Sequence, residues 1–115
     1  MATVADIGTR ALQRLNIISA VETPSAEDAA KAAQKVTDAH LMLAALGKTR
    51  WALTGVPDYA VPAYAECAAS LLAPEYGLAG PTVPQWETGE RALDRLIAVP
   101  YVPADANVTA APDYA

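Results

Sequence analysis

The sequence predicts an all-α protein, namely a compact four-helix domain with an extended loop between helices 2 and 3 and an extended C-terminal tail. The chain has 115 residues, the size of one domain. Its hydrophobic residues make up 53% of the chain, are rich in Ala and include no Phe. Ala is the strongest helix former, and apolar residues recur at spacings of three and four in four segments. We therefore expect a helical domain over residues 1–98 and an arm over residues 99–115.

The first helix is predicted over residues 3–15. Thr3 is a suitable N-cap because its side-chain oxygen can accept a hydrogen bond from a free backbone N–H, and Asp6 suits the positive end of the helix dipole. Asn16 ends the helix. One face carries the apolar residues expected to be buried: Val4, Ile7, Ala11, Leu12 and Leu15.

The second helix has the clearest boundaries. Ser25 is its predicted N-cap, the helix continues to Leu46, and Gly47 is its left-handed terminator. The main apolar stripe is Ala29, Ala32, Ala33, Val36, Ala39, Leu43 and Leu46. A second stripe, partly on another side, is Ala26, Ala30, Leu41 and Ala45. Because a helix that is apolar on two sides is usually buried on two sides, the second stripe predicts contact with a neighbour.

Residues 47–61 form the predicted loop. Gly55, Pro57 and Pro62 interrupt regular structure, and residues 50–54 are a candidate for a short strand. The loop contains two large aromatic residues, Trp51 and Tyr59. Loops of this length tend to be functional or to pack on something, so we expect both residues to lie at an interface.

The third helix is predicted over residues 62–73, with one further turn before Gly77. Its apolar stripe is Ala65, Ala68, Ala69 and Leu72. The fourth helix is predicted over residues 83–98. We expect its inner face to carry Trp86, Leu93, Leu96 and Ile97, and its outer face to carry Glu87, Glu90, Arg91, Asp94 and Arg95 as a solvated surface of i,i+4 ion pairs.

The charge balance disfavours several classes of function. Eight Lys and Arg face 13 Asp and Glu, for a net charge of −5. Tight nucleic-acid binding and docking on anionic membranes both need basic surface. No apolar run approaches the roughly 20 residues of a membrane span, and the first residues lack the pattern of a signal peptide. The single Cys allows no intrachain disulfide and no thiolate metal cluster.

We find no convincing catalytic, metal or cofactor constellation. His40 is the only histidine and is interpreted as a packed residue, while Cys67 is interpreted as a small buried thiol. A hydrolase that uses Glu87 and Glu90 is an alternative that requires a raised carboxyl pKa in a cleft. A small helical regulatory, interaction or DNA-binding protein is another. The residues favour a non-enzymatic interaction protein that forms oligomers.

The last segment differs from the helical region. Residues 100–115 contain three prolines and no basic residue, so we expect them to be extended. They also carry apolar and aromatic side chains that suit docking on a partner: Tyr101, Val102, Val108 and Tyr114.

The order and spacing of four segments resemble the head–tail adaptor proteins of tailed double-stranded DNA bacteriophages, also called connector or head-completion proteins. Residues 3–16 (TVADIGTRALQRLN) are similar to the opening helix of that family, and residues 22–30 (ETPSAEDAA) to the entry of its long second helix. Residues 56–62 (VPDYAVP) and 71–78 (LLAPEYGL) are similar to its third helix and the turn after it.

The resemblance implies a helical virion protein that forms a ring of about twelve copies at the head–tail junction, assembled in the bacterial host cytoplasm. The ring would extend the DNA channel beneath the portal protein, dock the tail or stopper protein and touch DNA only transiently. It also implies that the arm binds the portal, through Tyr101, Val102, Val108 and Tyr114. We expect the subunit interface to include Leu41, Ala45, Trp51 and Tyr59. The short loop at 47–61 favours the compact version of long-tailed phages and gene transfer agents.

Overall fold

Residues 2–96, the part of the chain that the computed structural model describes, form four α-helices and no strand. Helix α1 is Val4–Arg14, α2 is Ala26–Ala45, α3 is Val61–Leu72 and α4 is Trp86–Leu96. The prediction of an all-α four-helix domain is confirmed. The predicted arm lies outside the described residues, and the division of the chain at residue 98 stays a prediction.

The first two helices begin at the predicted caps. The Thr3 hydroxyl accepts a hydrogen bond from the Asp6 amide, and the Asp6 carboxylate accepts one from the Thr3 amide, each at 3.1 Å. The bond from the Thr3 amide favours the ionised carboxylate and, followed by the interaction with the Thr3 side chain, lowers the pKa of Asp6. The Ser25 hydroxyl likewise accepts from the Asp28 amide at 3.1 Å. Gly47 adopts the expected left-handed conformation with φ of 74°, and Asn16, the predicted end of the first helix, is also left-handed with φ of 60°.

The predicted strand at residues 50–54 is wrong. The loop instead contains two 3-10 turns, Leu53–Gly55 and Asp58–Ala60. The Gly55 amide donates to the Ala52 carbonyl at 2.9 Å, so the backbone satisfies its hydrogen bonds locally, without a strand partner.

The other boundaries shift by a few residues. Helix α3 is followed by a 3-10 turn over Ala73–Tyr76, which ends at Gly77 with φ of 70°, as the predicted extra turn requires. Helix α4 begins at Trp86 and not at Val83. Pro84 explains the later start, because a proline disfavours helical conformation in the residue before it.

Helix α3 is the centre of the domain. It packs against α1, α2 and α4, and α1 also packs against α2. The predicted stripe is buried, but so are residues on the other sides of the helix, namely Val61, Ala63, Tyr64 and Cys67. Helix α3 has few charged or hydroxyl side chains. Because a helix that is apolar on all sides is usually buried on all sides, this composition agrees with its central position.

Glycine lets two pairs of helices approach closely. A Cβ atom at Gly8 in α1 would lie 3.1 Å from the Ala32 Cβ atom in α2. A Cβ atom at Gly89 in α4 would overlap the Cys67 sulfur and lie 2.7 Å from the Ala63 carbonyl oxygen in α3. The position of α4 on α3 therefore depends on the missing side chain at residue 89. Within residues 2–96, no helix has the length and apolar character needed to cross a bilayer.

Candidate interaction surface

The last two turns of α2 expose large apolar side chains. Leu41 is 61% exposed, Met42 44% and Leu46 53%. These three residues are named the α2 apolar face. Single exposed apolar residues are ordinary on a protein surface, but adjacent ones on one element mark an interaction site.

A groove of about 380 Å³ lies beside the α2 apolar face. It is lined by Lys35, Asp38, Leu41, Met42 and Leu71. Its charged rim already has partners within the chain, because Lys35 Nζ lies 3.5 Å from Glu75 Oε2 and the Asp38 carboxylate accepts a hydrogen bond from the Gln34 amide at 3.0 Å. The groove thus offers apolar contact rather than an unpaired charge.

The predicted subunit-interface residues occupy two different environments. Leu41 and Ala45 are both exposed near the end of α2, four residues apart and therefore on one side of the helix. Trp51 is only 8% exposed and belongs to the core, whereas Tyr59 is 38% exposed and meets the Trp51 ring edge-on, with centroids 6.3 Å apart. A contact of these residues with another subunit stays a prediction. The predicted portal-binding residues Tyr101, Val102, Val108 and Tyr114 lie outside the described residues.

Sequence reasoning did not assign Met42, Leu46 or Leu71 to an interaction surface. Leu46 was expected in the core stripe, but α2 ends at Ala45, and the side chain of its C-cap residue points away from the core. Met42 lies between the two stripes. Its spacing of four from Leu46 was the signal that would have placed both on one exposed face.

His40 takes part in a hydrogen-bonded network that joins α2, the loop and α3. The Tyr64 hydroxyl lies 2.8 Å from His40 Nδ1, and the Trp51 indole N–H donates to the same hydroxyl at 2.9 Å. The Tyr64 hydroxyl therefore accepts from Trp51, and the imidazole tautomer sets the direction of its bond with His40 Nδ1. Burial raises the pKa of Tyr64 to about 12 and lowers the pKa of His40. The packed role predicted for His40 agrees with this geometry.

Cys67 is not placed to act as a nucleophile. Burial raises the pKa of its thiol to about 12, and its sulfur lies 3.8 Å from the Trp86 carbonyl oxygen. His40 Nδ1, the base that such a thiol would need, is bonded to Tyr64.

The acidic residues of α4 pair differently from the prediction. Lys48, just after α2, lies 2.6 Å from an Asp94 oxygen and 3.7 Å from a Glu90 oxygen. These contacts raise the pKa of Lys48, chiefly through the hydrogen bond with Asp94. Glu90 also accepts a hydrogen bond from the Trp86 indole at 3.0 Å. Glu90 thus contributes to a link between α2 and α4 rather than to an i,i+4 ion pair within α4.

Several basic residues pair within the chain. Arg14 contacts both oxygens of Glu66 at 3.0 and 3.3 Å, which ties α1 to α3. Lys31 pairs with Glu27 at 3.6 Å. Arg14 and Lys31 therefore form ion pairs within the chain.

No protein-family model, curated protein or solved structure matches this chain. Within the described part of the chain, no three His, Cys, Asp or Glu side chains group closely enough to hold a metal ion. The α2 apolar face and its groove combine adjacent exposed apolar side chains with a concave surface.

Proposed function

We propose that this chain is a ring-forming structural adaptor of a tailed double-stranded DNA phage or gene transfer agent, located between the portal and the tail. The resemblance of four sequence segments supplies the family. The α2 apolar face is the observation that carries the proposal. Each subunit of a ring must present contact surface to its neighbours, and burial of apolar surface contributes about 25 cal/mol per Å².

In this proposal the residues divide into two groups with different partners. Leu41, Ala45 and Tyr59 belong to the contact between subunits, to which Met42 and Leu46 are now added. Trp51, which is buried in the core, supports this contact through the ring of Tyr59. Tyr101, Val102, Val108 and Tyr114 bind the portal protein. The net charge of −5 suits a channel that DNA crosses without adhering, because like charges repel. The tail or stopper protein docks on the opposite side of the ring.

The decisive experiment counts this chain in purified virus-like particles from its source and maps its contacts by cross-linking mass spectrometry. We expect about twelve copies per particle, as the resemblance implies, with cross-links between residues 100–115 and the portal. Deletion of residues 100–115 is expected to leave the helical domain folded and to abolish portal attachment. Absence of the chain from particles would overturn the adaptor proposal.

The α2 apolar face equally suits a small helical interaction protein with a different partner, which is the second candidate. That candidate predicts a folded protein that is absent from particles but binds a partner through Leu41. A DNA-binding role predicts salt-dependent duplex binding, and a carboxylate hydrolase predicts an activity that Glu87→Gln and Glu90→Gln would abolish. The particle analysis described above distinguishes each of these three functions from the adaptor function.

A further inference from the structure

We infer that the turn before α2 of one copy of this chain inserts Val21 into the groove beside α2 of a neighbouring copy. The inference rests on the proposed function in one respect, namely that copies of the chain assemble with one another. It goes further by naming both surfaces of the contact between subunits. The α2 apolar face with its groove is one surface, and the turn that carries Val21 is the other.

Residues 19–22, named the connector turn, present Val21 to solvent. The Glu22 amide donates to the Ser19 carbonyl at 3.2 Å, and the Glu22 side chain accepts a hydrogen bond from the Ser19 amide at 2.6 Å. Val21 lies between these two residues and is 92% exposed, more than any other large apolar side chain in residues 2–96. The fold therefore leaves almost the whole of this side chain available to a partner.

The chain on both sides of the connector turn is fixed to the domain. Ile18 is buried in the core, and the Ile17 amide donates to the Leu12 carbonyl at 3.0 Å. On the other side, Ser25 caps α2 by accepting from the Asp28 amide. A single exposed valine is ordinary on a protein surface, but a valine on a turn held in this way loses little conformational entropy on binding. The connector turn is thus preorganised for a contact.

The groove beside α2 offers the matching concave surface. Its volume is about 380 Å³, and its apolar lining consists of Leu41, Met42 and Leu71. Val21 of the same chain does not enter the groove, because that side chain is exposed. The α2 residues that line the groove also lie about 14–24 Å along the helix from its first residue, Ala26. A second copy supplies the same turn without that separation.

The charges of the two surfaces are complementary. Glu22 is the only charged side chain in residues 17–25, and Lys35 lies at the rim of the groove. The Lys35 ammonium has three N–H donors, and its 3.5 Å contact with Glu75 leaves donors for a second carboxylate. When Val21 enters the groove, the carboxylate of the next residue, Glu22, therefore meets a group of opposite charge.

The rim of the groove also sets the orientation of the docked turn. Asp38 lies three residues after Lys35 on α2, and its carboxylate repels that of Glu22. The favoured orientation places Glu22 at the Lys35 end of the groove and away from Asp38. Charges at the rim of an interface act in this way, since they fix register more than they add affinity.

The contact is heterologous, because the connector turn and the groove are different surfaces of one chain. Each copy gives its turn to one neighbour and its groove to the other. Such contacts continue from copy to copy and close into a ring when the rotation between copies allows it. A twofold contact between two α2 apolar faces would instead end at a dimer, so the two arrangements differ in which residues meet.

Mixing two chains, each with one new cysteine, tests the contact. Full-length Val21→Cys and Met42→Cys proteins are mixed in equal amounts at high concentration and treated with oxidised glutathione. Both substituted positions are exposed, so both proteins should fold, and the native Cys67 does not compete because it is buried. We expect the mixed disulfide in several-fold excess over its statistical amount, as measured by mass spectrometry of the intact products. The disulfide traps short-lived contacts, so the assay does not require a stable ring.

The matched control replaces Met42→Cys with Ala44→Cys. Residue 44 is exposed but lies about 200° around α2 from residue 42 and outside the groove. We expect only the statistical amount of mixed disulfide from this pair. Equal yields of the mixed disulfide from the two pairs would overturn the inference. An excess of the symmetric Met42→Cys disulfide would also overturn it, since it would assign the α2 apolar face to a twofold dimer.

The particle analysis separates this inference from the proposed function. An excess of mixed disulfide in a chain that is absent from particles would support the contact between copies and reject the adaptor function. Equal yields from the two pairs in a chain that is present in particles would reject the contact between Val21 and the groove and keep the adaptor function.

Discussion

At Gly89, helix α4 comes so close to α3 that no side chain fits between them. An added methyl group would overlap the Cys67 sulfur, and the 2.7 Å approach to the Ala63 carbonyl oxygen involves backbone that cannot rotate away. The apolar spacing in α4 predicted the burial of Leu93 but not the role of residue 89, because a single glycine carries no information about the helix against which it packs.

We expect Gly89→Ala to lower the free energy of unfolding by about 1–3 kcal/mol through overpacking. This loss occurs although alanine is the better helix former by about 1 kcal/mol. Urea unfolding followed by circular dichroism measures the effect. Thr88→Ala, at an exposed neighbouring position, is the matched control and should not destabilise the protein. Equal stability of the two variants would show that α4 packs differently.

His40 should make the stability depend on pH. Burial lowers the pKa of His40 in the folded chain below its ordinary value of about 6.5, so the unfolded chain binds the proton first as the pH falls. The associated stability is fully present above pH 6.5 and is lost as the pH falls toward the folded-state pKa.

The measurement compares the unfolding free energy at pH 7 and pH 5 for the wild type and for His40→Asn. The asparagine side chain keeps an acceptor near the Nδ1 position but does not titrate. We expect the variant to lose less stability on acidification than the wild type, with the carboxylate contribution common to both. If the wild type and the variant lost the same unfolding free energy on acidification, His40 would ionise as easily in the folded protein as in the unfolded chain.

At the scale of the elements, Arg14 and Glu66 form the ion pair that links α1 to α3. Arg14 is 47% exposed, so solvent screens the interaction in spite of its two-point geometry. A double-mutant cycle with Arg14→Gln and Glu66→Gln is expected to give a coupling of about 0.2–1 kcal/mol that decreases with added salt. A coupling that salt does not change would point to packing rather than charge as the source of the link.

The helix starts of α1 and α2 were predictable because their signals are local. A cap such as Thr3 or Ser25 acts on amides two or three residues away, so the sequence contains the whole interaction. The loop at 50–54 was not predictable in the same way. A strand needs a partner strand, which the local sequence does not specify, and the chain forms 3-10 turns in its place.

The candidate surface was predictable only in part. The second stripe of α2 indicated correctly that Leu41 and Ala45 are not used in the core. Alanine-rich faces give little contrast, however, so the side of α2 that meets α3 could not be separated from the side that meets solvent. Met42 and Leu46 were missed for that reason. Likewise α3 shows one stripe in its sequence but is buried on all sides, since three helices surround it.

At the scale of the whole molecule, the α2 apolar face should affect association without affecting the fold. We expect Leu41→Glu to change the unfolding free energy by no more than about 0.5 kcal/mol, because Leu41 is 61% exposed. It should also abolish incorporation into particles, since a charge would be buried between subunits. The Ala44→Glu variant, whose substitution lies on another side of the same turn, should still be incorporated into particles. Normal incorporation of Leu41→Glu would remove this face from the subunit contact.

The alanine-rich core has a consequence for how this protein tolerates substitution. Nine of the 22 buried apolar residues in the described part of the chain are alanine. A mutation at such a position has almost no atoms to delete, so the harmful changes are those that add volume between closely spaced helices. Random mutagenesis should therefore return an unusual spectrum, with alanine-to-valine and glycine-to-alanine changes among the most damaging. The cavity-forming changes that dominate in leucine-rich cores should be restricted to a few larger residues.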